Sequence, residues 1–230
     1  MNIAPKIYKM RVGFSVAGCP DHKRIMTILR EMVLRSGLPF EPAKVNKSWP
    51  RLAYGPALGY KQYSLGEVAD LYFSAPVKET DAQAALVKSA LDGVRVLCVR
   101  RVPYALPSVM NLAEVMQYSV QGDFSFYTPA NCAEEFFRKQ HIYVSVVADS
   151  GMSMQRDLKP FILSVTQPQP DKLELLLQKH ADKMAKPEHV IAAWLNIPVP
   201  AAEEFTLSEL KFTREKLYWR DGEGKLHAIW

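Results

Sequence analysis

Cysteine is scarce in this 230-residue chain, and its three copies, Cys19, Cys98 and Cys132, lie far apart. An odd number of distant cysteines argues against a disulfide framework, and no CxxC pair offers two thiolates to a metal ion. The five histidines are scattered too, and none stands at metal-ligand spacing from a carboxylate or another histidine. We therefore predict no resident metal and no cofactor, and we interpret each cysteine as a small buried residue.

Long apolar runs are absent as well. No segment approaches the roughly 18 uninterrupted apolar residues that a membrane helix needs. Residues 1–11 contain too many polar side chains to form the apolar core of a signal peptide. These two absences predict a cytoplasmic protein without a membrane partner.

The common catalytic motifs are missing from the sequence. It contains neither a Gly-x-Gly-x-x-Gly loop nor a Walker-type loop, which argues against the two common kinds of nucleotide-binding enzyme. It also lacks the Gly-x-Ser-x-Gly elbow of the hydrolases. A hydrolase that uses His22 with Asp21 ranks last among the alternatives, because adjacent residues at a helix start do not face each other. The absence of these motifs favours a protein that is not an enzyme.

Positive charge is concentrated in the front half of the chain. Residues 1–107 hold 16 Lys and Arg against 8 Asp and Glu, a balance of +8, whereas residues 108–230 hold 13 against 16, a balance of −3. Such a bias is expected of a protein that binds a polyanion such as RNA, and solvated helix faces are the alternative explanation.

The first elements predict an α+β architecture. Alternating apolar residues from Ile7 to Val16 indicate a half-buried strand, and apolar positions at helical spacing follow Asp21 as far as Gly37. Strand signals at 51–54 and 68–73, a helix signal at 82–91 and a strand signal at 94–102 complete the order βαββαβ. This order is typical of a ferredoxin-like sandwich, in which both helices cover one face of an antiparallel sheet. We expect the other face to be open.

The prolines at 103 and 107 mark a break, and there we place a domain boundary. The second half, residues 108–230, shows a less regular succession of strand and helix signals, with strand signals at 141–148, 161–165, 173–177 and 211–219 among them. We predict two tandem ferredoxin-like domains, 1–107 and 108–230, with extra elements decorating the second. A single larger α+β domain is the alternative.

Candidate binding residues fall in two groups. His22, Arg51 and Tyr54 lie in the loop after the first strand and at the start of the second, so we expect them to meet at one sheet edge. Arg11, Arg95 and Arg101 belong to the two central strands, and the sequence does not decide which of them share a face. Interleaved aromatic and basic side chains at 47–72 could stack on and neutralise a single-stranded RNA, although core and hairpin packing would produce the same composition.

The order and spacing of several short motifs resemble a known family. These motifs are Arg35-Ser36-Gly37-Leu38-Pro39, Pro50-Arg51-Leu52-Ala53-Tyr54, Gly93-Val94-Arg95-Val96-Leu97, Arg101-Val102-Pro103 and Asp157-Leu158-Lys159-Pro160. Together they are similar to the radical-SAM-linked domain of unknown function, whose members are encoded beside, or fused to, B12-binding-type radical SAM proteins. This chain is a divergent member by that resemblance. It has Asp21-His22-Lys23-Arg24 where the family has Ser-His-Leu-Asp, and Lys47-Ser48-Trp49-Pro50 where the family has Asn-Pro-His-Pro.

The resemblance implies a radical SAM protein as partner. The sequence itself contains no Cys-x3-Cys-x2-Cys motif for the iron–sulfur cluster of that chemistry. We therefore expect an accessory or substrate-binding role beside a separate radical SAM enzyme. An RNA-binding module in RNA modification or processing is the alternative.

Overall fold

The computed structural model describes residues 7–18, 21–91, 93–124, 133–147, 150–180, 183–200 and 207–230. Among these residues, no helix is long and apolar enough to cross a membrane. The helices are α1 (His22–Arg35), α2 (Glu79–Lys88), α3 (Val109–Leu112), α4 (Ala133–Arg138) and α5 (Pro187–Trp194). The strands are β1 (Tyr8–Val16), β2 (Leu52–Tyr54), β3 (Tyr63–Phe73), β4 (Val94–Val102), β5 (Val115–Gly122), β6 (Tyr143–Val147), β7 (Ser153–Asp157), β8 (Ile162–Gln169), β9 (Lys172–Gln178), β10 (Val199–Pro200), β11 (Leu210–Arg220) and β12 (Leu226–Ala228).

The predicted strand and helix at the start of the chain are confirmed. The side chain of Asp21 accepts a hydrogen bond from the backbone N–H of Arg24 at 2.7 Å, which caps the first turn of α1. The apolar face of α1 is buried, including Ile25 and Leu29. Gly37, with φ at +68°, follows the end of the helix, in the backbone conformation that favours glycine.

The front half forms a sheet with two helices on one face. Its strands run in the order β4-β1-β3, and β2 pairs with one end of β3. The apolar side chains of α1 and α2 share one hydrophobic cluster with those of β1, β3 and β4. At the other end of β3, Tyr63 and Ser64 pair in parallel with Thr213 and Arg214 of β11. The sheet therefore continues from the front half into the second half.

The second half is α+β as well, but its strand order differs from that of the first. The main sheet continues as β11-β5-β9-β8, whereas β6 pairs with β7 and β10 in a separate three-stranded sheet. The α+β class is thus confirmed. The predicted second ferredoxin-like unit is not confirmed, because its strands are divided between two sheets.

Two hydrophobic cores follow the halves of the chain. One consists of residues between Met10 and Val99, and the other of residues from Val109 onward together with Val68. The gap between Val99 and Val109 contains the boundary that the sequence predicts at 107. Since one sheet runs through both halves, the division into two domains stays a prediction.

The prediction of an open sheet face is wrong for the central part of that face. Lys9 and Arg11 lie on that face, yet they are 2% and 4% exposed and both make salt bridges to Asp70. The connection to the second half covers them, and the carbonyl of Leu106 accepts a hydrogen bond from Lys9 Nζ at 2.7 Å. The ring of Trp230 lies so close to Gly13 that a Cβ there would be 3.0 Å from it. The centre of this face is therefore covered by the chain itself, whereas Arg95 and Arg100 of β4 stay exposed on it.

Candidate ligand-binding cleft

A cleft of about 470 Å³ lies where the two halves meet. Its walls are the start of α1, the loop between β2 and β3, and the start of α5, and Tyr118 of β5 also lines it. Polar side chains from both halves line the cleft, among them His22, Gln62 and Glu188. The folding of both halves is needed to assemble it.

The loop between β2 and β3 places Gln62 in the wall. The Gln62 side chain turns back over its own loop, where its Oε1 accepts a hydrogen bond from the backbone N–H of Gly59 at 3.1 Å. A Cβ at Gly59 would overlap the Gln62 amide, so a larger residue at this position would have to displace the Gln62 side chain. Lys61, with φ at +54°, provides the left-handed turn that brings Gln62, 1% exposed, into the interior.

Glu188 is a buried acid on the opposite wall of the cleft. The residue is 2% exposed, and its Oε1 accepts a short hydrogen bond from Gln62 Nε2. Its Oε2 is buried and has no hydrogen-bond partner among the described residues. Burial raises the pKa of Glu188, and the hydrogen bonds from Gln62 and from its own backbone N–H, with the charge of Lys186, only partly oppose this effect. The carboxyl group is thus held in a position where its neutral form is favoured.

His22 begins α1 at the mouth of the cleft. Its ring packs edge-on against Tyr54, with 6.2 Å between the ring centroids. Its Nδ1 is buried, and no described residue forms a hydrogen bond with it. Burial lowers the pKa of His22, and the charge of Glu67 partly opposes this. His22 therefore favours its neutral form near neutral pH.

A buried ion pair supports the loop. Arg214, with 0% exposure, donates to both carboxylate oxygens of Glu67, from Nε at 2.7 Å and from Nη2 at 2.6 Å. Its remaining donors bind the backbone carbonyls of Pro56 and Ala57 at 2.8 and 3.1 Å. Although burial acts in the opposite direction, the Glu67 carboxylate raises the pKa of Arg214. This two-pronged pair anchors the loop that carries Gln62.

The structure brings two of the three residues of the predicted edge site together. His22 and Tyr54 are in contact, and the Tyr54 hydroxyl donates to the backbone carbonyl of Met26 at 3.2 Å. Arg51 instead stacks on the ring of Tyr72, 4.1 Å from its centroid, and approaches Tyr104 at 5.8 Å. Of the three, only His22 lines the cleft.

The three predicted arginines do not share one surface. Arg11 is buried against Asp70. A register shift in the pairing of β1 with β4 puts Arg95 opposite Ser15 and Arg101 opposite Met10, on opposite faces of the sheet. Arg101 is exposed near α2, where its backbone N–H donates to Glu79 and its guanidinium to the carbonyl of Val77.

Sequence reasoning missed Gln62, Tyr118 and Glu188. Gln62 and Glu188 are 126 positions apart, and only the tertiary fold brings them together. One signal was present, because Glu188 opens a helix whose following residues, Val190 to Trp194, are all apolar. A helix that is apolar all round is buried, and an acid on a buried helix is a candidate functional residue.

The described residues contain no group of three His, Cys, Asp or Glu side chains placed to bind a metal ion. Cys98 is half-buried and free. Cys19 and Cys132 lie outside the described residues.

Acid should destabilise the protein through His189, which is buried in α5 beside the cleft. Burial and the nearby charges of Lys186 and Arg156 lower the pKa of His189 to about 4. The unfolded chain therefore binds the proton first, and stability that is present above pH 6.5 is lost as the pH falls towards 4. We expect this group to lower the free energy of unfolding in acid by about 2 kcal/mol, after allowance for its partial contact with water.

The measurement is urea unfolding as a function of pH. His189→Gln should be less sensitive to acid than the wild type, whereas His180→Gln, which changes an exposed ring, should behave like the wild type. Equal acid sensitivity of the wild type and His189→Gln would contradict this prediction.

Comparison with protein-family models identifies a family match. The profile of a family described as an uncharacterized protein conserved in bacteria, DUF2344, matches residues 21–187, more than half of the chain. No curated protein matches the chain. The matched range begins at Asp21 and ends at Pro187, so it includes every residue that lines the cleft except Glu188. The chain belongs to DUF2344, a family of uncharacterized proteins conserved in bacteria.

Proposed function

We propose that this chain is a cytoplasmic, non-catalytic partner of a radical SAM enzyme and that its cleft holds the substrate on which that enzyme acts. The observation that carries the proposal is the Gln62–Glu188 pair. Two buried polar side chains from distant parts of the chain fix each other, and Oε2 of Glu188, a residue that lines the cleft, is left without a hydrogen-bond partner among the described residues. A buried polar atom of this kind is costly unless a ligand or water completes its hydrogen bonds.

The resemblance to the radical-SAM-linked domain supports the choice of partner. The sequence lacks the Cys-x3-Cys-x2-Cys motif, so the iron–sulfur cluster would be supplied by the partner. In this division of labour the present chain binds and orients a substrate, and the partner performs the chemistry.

We further propose that the front half is a ferredoxin-like unit. Its strand order, β4-β1-β3-β2, and the position of both helices on one face support this. The cleft begins at the start of α1, which packs on this sheet, and extends to the second half.

The test uses co-expression with the B12-binding-type radical SAM protein of the same genome. The two proteins should elute together. Ala57→Trp should obstruct the cleft mouth, because Ala57 is exposed and lines the cleft. We expect this variant to lower the partner's turnover about tenfold or more, since substrate misplacement alone has effects of that size.

Ala84→Trp is the matched control, because Ala84 is exposed on α2, outside the cleft. It should leave turnover unchanged. Failure of the two proteins to associate would overturn the proposed partnership, and equal turnover with both variants would overturn the role of the cleft.

RNA binding is a second candidate function, favoured by a different surface. Arg51 lies 5.8 Å from the centroid of Tyr104, which is 52% exposed, and Arg30 lies 4.0 Å from the centroid of Trp49, which is 41% exposed. Aromatic and basic side chains in such pairs can stack bases and neutralise phosphates. Binding through phosphates should weaken steeply with salt, so a titration that shows no binding at low salt would exclude this candidate.

A further inference from the structure

The hydrogen bonds around Gln62 fix the direction of every donor and acceptor in the Gln62–Glu188 pair. Because the backbone N–H of Gly59 can only donate, the atom it meets must be Gln62 Oε1. The other end of the amide, Nε2, then faces Glu188 and donates to its Oε1. Oε1 of Glu188 acts as an acceptor, and a proton on this carboxyl group must therefore lie on Oε2.

Burial decides whether that proton is present. Glu188 is 2% exposed, and this burial raises the pKa of its carboxyl group. The neutral acid presents an O–H donor at Oε2, the atom that lacks a partner among the described residues. A buried carboxylic acid that stays neutral in order to donate a hydrogen bond has precedent in enzyme active sites.

The charges around Glu188 favour an anion. The start of α1 contributes Asp21, which caps the helix, together with His22 and Lys23, and the start of α5 contributes Lys186 and His189. Tyr60 and Tyr118 also line the cleft, and the nearby Glu67–Arg214 pair is neutral overall. Apart from Glu188, the lining thus carries two lysines, Lys23 and Lys186, and one carboxylate, that of Asp21, so its balance of charge is positive.

We propose that the cleft binds its ligand through an anionic oxygen group, a carboxylate or a phosphate, which accepts a hydrogen bond from Oε2 of Glu188. The inference rests on the proposed binding role of the cleft and specifies the chemical class of the ligand. The lysines at the mouth attract the anion, and the neutral acid on the wall recognises it.

This proposal predicts a characteristic dependence on pH. Ionised Glu188 would repel an anion, so the ligand binds the protonated form. Once the pH exceeds the pKa of Glu188, the dissociation constant should rise about tenfold per pH unit. A cationic ligand would show the opposite dependence, because it would bind the carboxylate.

The experiment is an NMR titration of the isotope-labelled chain with acetate, inorganic phosphate or methylammonium, at constant ionic strength and several pH values. Acetate or phosphate should shift the amide signals of His22, Gln62 and Glu188. Each anion should bind more tightly in acid than in base. Comparison of the two anions shows which the cleft prefers. Methylammonium should leave these signals unchanged.

Glu188→Gln keeps a hydrogen-bond acceptor for Gln62 and a permanent donor in place of the Oε2 proton. The variant should bind the anion at all pH values about as tightly as the wild type does in acid. Glu174→Gln, which changes a more exposed carboxylate on β9, should retain the wild-type pH dependence. The spectrum of each variant also reports whether it is folded.

Three results would overturn the inference. They are binding of methylammonium in place of the anions, no shift at these signals with either anion, and a pH dependence that persists in Glu188→Gln over a range in which the anion itself does not titrate, which would assign it to another group. Because the titration uses the chain alone, its outcome is separate from that of the co-expression test. Anion binding without partner association would overturn only the proposed partnership.

Discussion

Replacing Arg214 with methionine is expected to lower the free energy of unfolding by about 3–5 kcal/mol. Arg214 is completely buried, and it forms a two-pronged salt bridge with Glu67, which is 3% exposed. Methionine leaves the Glu67 carboxylate without its counter-ion in a site that water hardly reaches. The carbonyls of Pro56 and Ala57 lose their donors as well. Urea unfolding monitored by circular dichroism measures the change.

Two further variants separate the charge effect from the change of shape. The double variant with Glu67→Gln added to Arg214→Met should recover part of the lost stability, because no charge remains buried. Lys216→Met, on an exposed position of the same strand, should change stability by no more than about 0.5 kcal/mol. If Arg214→Met proves as mild as Lys216→Met, the ion pair does not hold the cleft loop in place.

Asp70→Asn should be nearly as destabilising as Arg214→Met. We expect it to lower the free energy of unfolding by about 3 kcal/mol or more. Asp70 is the shared acceptor for Lys9 and Arg11, and all three side chains are almost inaccessible to water. It also accepts a hydrogen bond from the backbone N–H of Val109 at 3.1 Å. Asparagine leaves two positive charges in the interior without a compensating anion.

The loss of stability in Asp70→Asn should be greatest at the connection between the two halves. Lys9 and Arg11 bind the carbonyls of Leu106 and Pro107, so disturbing them should loosen the connection between the halves. We expect faster amide hydrogen exchange in residues 104–112 of Asp70→Asn than in Asp81→Asn, a change on the exposed start of α2. Unaltered exchange there would show that the cluster does not fasten the connection.

The front half was predictable because its signals are local. The alternation in β1, the cap at Asp21 and the spacing of apolar residues in α1 each depend on residues close in the chain. The strand and helix that they predict are present at the expected positions. The hydrophobic pattern thus sufficed to place the start of α1, which lines the cleft.

The covered face and the cleft wall were not predictable, because the residues that form each of them are far apart in the sequence. Lys9 and Arg11 alternate with apolar residues as solvent-facing side chains do, and only the position of Asp70 and the linker reveals that they are buried. Glu188 similarly becomes a candidate site residue only through its hydrogen bond with Gln62, which is far away in the chain. Charge at an alternating position indicates which face a residue occupies, but it does not indicate what covers that face.

The second half departed from its prediction for a related reason. Its local strand signals are real, since β6, β8, β9 and β11 all form near the expected positions. Local signals do not determine which strands pair, and β6 joins β7 and β10 in place of the main sheet. Pairing depends on long-range packing, which a pattern of alternating residues leaves open.

The most direct test of the binding role of the cleft is hydrogen–deuterium exchange of the chain alone and in the presence of its radical SAM partner with substrate. The account predicts slower exchange in the presence of both, concentrated in the loop at 55–62 and at the starts of α1 and α5. Protection confined to the surface around Arg51 and Tyr104, or no protection at the cleft, would contradict it.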